Sequence, residues 1–141
     1  YVPAAGAAAD TYYLFADTVP SPSGNGAYNA GAPPGGEGPP AGVAFTLSKG
    51  YTVSVLCATP AGGGGCTAVN SLTVFFRRPN PDACFASDAA PGACASGAAA
   101  VYSAAYITLR SSGNSDTRSV KISNTGQIAV CAPNLADVTQ C

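Results

Sequence analysis

Apolar and polar residues alternate along this chain with a period of two, and nowhere with the 3.6-residue period of a long helix. The pattern is clearest in the last third. Val101–Arg110 reads as a long strand with Ile107 and Leu109 on one face. Ser111–Asp116 is a polar turn. In Thr117–Ser123, Val120 and Ile122 face one way and Ser119, Lys121 and Ser123 the other. Asn124-Thr125-Gly126 turns the chain, and Gln127–Cys131 returns with Ile128 and Val130 together. Three antiparallel strands joined by short polar turns predict a meander.

Upstream the pattern is broken into shorter runs. Residues 11–16 (Thr-Tyr-Tyr-Leu-Phe-Ala) read as a strand. Residues 18–42 are rich in glycine and proline and nearly free of large apolar side chains, which predicts a long exposed loop. Val43–Leu47, the turn Ser48-Lys49-Gly50 and Tyr51–Cys57 predict a hairpin, with Tyr51, Val53 and Val55 on one face. Ser71–Phe76 reads as a central strand that ends at Arg77-Arg78-Pro79 and Pro81. Residues 82–100, rich in Ala, Gly and Ser, read as a second loop. Helix is entertained for Pro3–Asp10, and a short one within 82–100 is disfavoured by Pro91, Gly92 and Gly97.

Composition sharpens this outline. The 141 residues suffice for one domain, taken as 1–141. Leu, Ile, Val and Phe total 25 residues, so the core is small and the loops long. Six cysteines sit in three close pairs: Cys57 and Cys66, Cys84 and Cys94, Cys131 and Cys141. This spacing favours three local disulfides among the 15 connectivities that six cysteines allow. There is no histidine and no Cys-x-x-Cys pair to build a zinc site, so an oxidising compartment outside the cytoplasm is expected. The chain contains no Met and starts at Tyr1-Val2-Pro3, so a segment is expected upstream of Tyr1.

Candidate chemistry is sparse. Without histidine, neither a Ser-His-Asp triad nor a Cys-His pair can form. The acids Asp10, Asp17, Glu37, Asp82, Asp88, Asp116 and Asp137 fall in turns and loops with no visible pairing, which leaves a two-carboxylate hydrolase as the remaining enzymatic option. No enzyme, catalytic residue or cofactor is expected. Asp17, Asn25, Asn29 and Glu37 flank a glycine-rich stretch and are weak calcium-ligand candidates, although turns favour Asn and Asp for backbone reasons alone. Arg77, Arg78, Arg110, Arg118 and Lys121 would make a basic stripe if their strands were neighbours. Six cations against seven acids give no footprint for nucleic acid, and none is expected as a partner.

Three stretches resemble a known family. Thr11-Tyr12-Tyr13-Leu14-Phe15-Ala16-Asp17 with Gly26-Ala27-Tyr28-Asn29-Ala30-Gly31 is the first. Ser71-Leu72-Thr73-Val74-Phe75-Phe76-Arg77-Arg78-Pro79-Asn80-Pro81 is the second. Ile107-Thr108-Leu109 with Thr117 through Val130 is the third. In this order they are similar to type IV pilin-like and pseudopilin subunits of the GspH/FimT type. The resemblance implies an α+β family fold, here mainly antiparallel β, and an N-terminal hydrophobic helix missing from this chain. It implies a structural subunit of a bacterial type IV pilus or pseudopilus, at the cell surface, self-assembling with identical or related subunits. Membrane contact would come only through the absent helix. The family's C-terminal Gly-Arg-x-Arg, tied to DNA binding, reads Gly126-Gln127-Ile128-Ala129 here. The alternatives are a minor pilin acting as tip adhesin or DNA-capturing module, and an unrelated secreted β-sandwich domain.

Overall fold

The computed structural model describes residues 1–3, 10–17, 26–30, 36, 38, 42–48, 50–76, 82–95, 99–113, 116–133, 137 and 140–141. Within them lie nine strands: β1 (Thr11–Leu14), β2 (Val43–Thr46), β3 (Tyr51–Pro60), β4 (Thr67–Ala68), β5 (Leu72–Phe76), β6 (Ala83–Ser87), β7 (Tyr102–Ser111), β8 (Thr117–Ser123) and β9 (Ile128–Val130). They form a five-stranded sheet ordered β4-β3-β7-β8-β9 and two antiparallel ribbons, β1-β2 and β5-β6.

The expected meander is present as β7, β8 and β9. Its period-two pattern puts Ala105, Ile107 and Leu109 of β7 opposite Ile122, Val120 and Arg118 of β8. β3 adds Val53, Leu56 and Ala58 to the same face. The β5-β6 ribbon covers this face with Leu72 and Phe85, both at most 1% exposed. Polar ties fix the ribbon in place. The Ser87 and Tyr102 hydroxyls bond at 2.8 Å, and the Ala83 amide donates to the Asn124 carbonyl at 2.9 Å.

Several expectations require correction. The fold is all-β rather than α+β: the described residues contain no α-helix, and hence no helix long and apolar enough to cross a membrane. The helical part came from the family resemblance, not from any 3.6-residue period in the chain. The Val43–Leu47 and Tyr51–Cys57 segments do not pair as a hairpin. The turn forms, with the Tyr51 amide donating to Ser48 at 3.0 Å, but β2 pairs with β1 and β3 with β7. Ser71–Phe76 is not central, since among the described residues β5 pairs along its length with β6 alone and otherwise meets a single bridge at Val2. Residues 82–100 hold a strand, β6, that small side chains disguise. A bulge between Val53 and Val55 separates those two residues, leaving Val53 buried and Val55 exposed. The helix entertained for Pro3–Asp10 falls on residues 4–9, outside the described residues, as does most of the 18–42 loop.

Candidate functional site

The three disulfides join Cys57 to Cys66, Cys84 to Cys94 and Cys131 to Cys141, with Cα separations of 5.6, 5.7 and 5.0 Å. They account for all six cysteines, so none is a free nucleophile or metal thiolate. The first closes the glycine-rich tip of the β3-β4 hairpin. The second ties β6 to residues 91–95. The third holds Cys141 against Cys57, Ala104 and Tyr106 on the second face of the sheet. Lys121 reinforces that contact: its ammonium lies 5.9 Å from the centre of the Tyr106 ring and donates to the Cys141 carbonyl at 3.5 Å. Beside them Thr108 and Ser119 share a buried hydroxyl bond of 2.7 Å. Three disulfides are the mark of an oxidising, extracellular or secreted environment.

Two of the four calcium candidates are described, and both serve the backbone. Asp17 Oδ2 accepts from the Gly26 amide at 2.8 Å, and Asn29 Nδ2 donates to the Ala27 carbonyl at 3.2 Å. Asn25 and Glu37 lie outside the described residues. Among the described residues no three His, Cys, Asp or Glu side chains group as a metal site. The basic stripe divides. Arg110 lies on the face of Thr117, Ser119 and Lys121, whereas Arg118 pairs with Leu109 on the opposite face. Arg77 and Arg78 are outside the described residues.

Asp88 has a definite local task. Its carboxylate accepts from the amides of Asn70 and Ser71 at 2.8 and 3.0 Å and from Asn70 Nδ2 at 2.8 Å. The Ser71 amide first, then the Asn70 side chain, hold its pKa below the usual carboxylate value. The acid therefore clamps the entry to β5.

The sequence reading missed two aromatic features. Tyr13, on the inner face of the β1-β2 ribbon, belongs to a cluster with Tyr1, Tyr28, Phe15 and Phe75. Tyr1 stacks on Tyr28 at 4.4 Å, Tyr13 on Tyr28 at 5.4 Å, and Phe15 meets Tyr28 and Phe75 edge-on at 4.9 and 5.5 Å. Gly26 lets this happen. It has φ +73°, and a Cβ there would stand 2.2 Å from the Cys94 backbone, so the chain preceding Tyr28 lies directly against the Cys84–Cys94 loop. On the outer face Tyr12 stacks on Phe45 at 5.2 Å, and Leu14 pairs with Val43. All four are exposed, Leu14 at 65%. The alternation of Tyr12 and Leu14 against Tyr13 and Phe15 was the available signal, but it needed the partner strand to be identified.

These features are exposed aromatic surfaces and covalent staples. No protein-family model matches the chain, and neither a curated protein nor a solved structure matches it.

Proposed function

We propose that this domain is the outer globular part of a type IV pilin-like or pseudopilin subunit, built for assembly rather than catalysis. The observation that carries the reading is the order of the three sequence stretches, from Thr11–Gly31 through Ser71–Pro81 to Ile107–Val130. Strands β1, β5, β8 and β9 fall within them, and the second half of β7 does. The disulfides suit a coat that stands in an oxidising medium. Low charge suits dense lateral packing, because copies brought together repel each other little. The minor-pilin adhesin is favoured by one feature, the exposed Tyr12, Leu14, Val43 and Phe45 face.

The coding sequence upstream of Tyr1 tests the reading. A glycine followed by Phe-Thr-Leu-x-Glu and an apolar helix of roughly 20 residues is the expected result. An ordinary secretory signal peptide directly upstream would overturn it in favour of a secreted β-domain.

A further inference from the structure

Among the described residues β9 is an edge strand without the usual protection. Among the described residues no strand pairs with its outer side. Protein sheets guard such edges with lysine, proline, bulges or covering elements. The run Gly126-Gln127-Ile128-Ala129-Val130-Cys131 has no charge and no proline, and its register on β8 is unbroken.

The ladder fixes which groups face outward. The Ser123 amide donates to Gln127 at 2.9 Å and the Cys131 amide to Ser119 at 2.8 Å. The intervening bonded pair is therefore Lys121 with Ala129, and Ile128 and Val130 turn their N–H and C=O groups away from β8. Their side chains lie beside those of Ile122 and Val120 on the core face but overhang it, 61% and 73% exposed.

We infer that β9 pairs antiparallel with β9 of a second copy of this chain, about a two-fold axis through Ala129. The outward groups are self-complementary in that register. Ile128 of each copy exchanges both backbone bonds with Val130 of the other, and the two Ala129 residues form the close, non-bonded pair. Ile128 of one copy then covers Val130 of the other on the apolar face. Neither edge brings a like charge to the contact. A three-residue edge buries far less than the roughly 1,200 Å² of a stable specific interface. The pairing is accordingly weak and forms at high protein concentration. The inference is independent of the filament reading: it concerns the β-domain alone and can fail without touching it.

Covalent capture tests it. Ala129→Cys in the disulfide-intact protein places two thiols across the axis at a Cα separation of about 4.5 Å, within disulfide reach. Under mild oxidation at high protein concentration, the expected product is a dimer whose peptide map shows a position-129 cross-link and the three native disulfides. Adding Val130→Pro removes an outward N–H and no bond to β8, and adding Val130→Lys restores an edge charge. Either is expected to lower the dimer yield at least tenfold with the native disulfide map intact. A yield no higher than that of Gly113→Cys, in an exposed turn elsewhere, overturns the inference. So does a yield that neither Val130 variant changes.

Discussion

Gly26 shows how much one backbone position carries. Its positive φ and its contact with the Cys94 backbone both forbid a side chain. Gly63 has φ +87° but open space around it. Gly26→Ala is therefore expected to destabilise the domain by about 2 kcal/mol or more, and Gly63→Ala by about 1 kcal/mol, the backbone cost alone. Denaturant titration checks this; equal losses would show that the contact with Cys94 is not tight. Asp88 gives a pH signature. Its folded pKa is depressed, so its contribution is fully present above the ordinary carboxylate range and is lost as pH falls through the lower, folded value. Melting temperatures from pH 6 down to 2 are expected to fall less for Asp88→Asn than for the parent chain. Parallel curves would remove Asp88 from the acid response. At this scale the sequence was partly legible. Asn29 bonds the nearby Ala27 carbonyl, whereas Asp17 accepts from Gly26, nine residues on, a tie that no local spacing announced. Val55 was not legible, because a bulge reverses a strand's faces without leaving a mark in the alternation.

Among the elements, β8 was the easiest to read. Val120 and Ile122 alternate with Ser119 and Lys121; the first pair packs on the main core, and the second face carries the buried hydroxyl pair of Ser119 and Thr108. β6 was unreadable for the converse reason: of Ala83, Cys84, Phe85, Ala86 and Ser87 only Phe85 is large, and the strand exists through pairing with β5 and closure by Cys84–Cys94. β2 was found but given the wrong partner. A formed turn at Ser48–Tyr51 does not compel its flanks to pair, and the stacking of Tyr12 on Phe45 goes with the pairing of β2 to β1 instead. The β3-β4 hairpin depends on its staple, since its tip contains four consecutive glycines, Gly62 to Gly65. Replacing Cys57 and Cys66 together with alanine is expected to cost about 2–3 kcal/mol in the loop-entropy account. A loss below about 0.5 kcal/mol would mean that pairing of β3 with β7 alone orders the hairpin.

Over the described residues, a five-stranded sheet is covered on one face by the β5-β6 ribbon and carries Cys66 and Cys141 packed on the other. Charge is sparse, and Arg118 stands on the opposite face from Arg110 and Lys121. Binding to duplex DNA at 150 mM salt is accordingly expected to be negligible; a submicromolar mobility shift that weakens steeply with salt would contradict this. The antiparallel character was legible in the β7-β8-β9 meander, whereas the layer arrangement was not, because long-range pairings such as β3 with β7 leave no local signature. The central claim is that this domain coats a filament whose assembly is driven elsewhere in the protein. Electron cryo-microscopy of filaments formed by the intact gene product tests it most directly. The account predicts N-terminal helices lining the filament axis, with this β-domain outside them. Filaments without an axial helical core, or an intact protein that stays a soluble monomer, would contradict it.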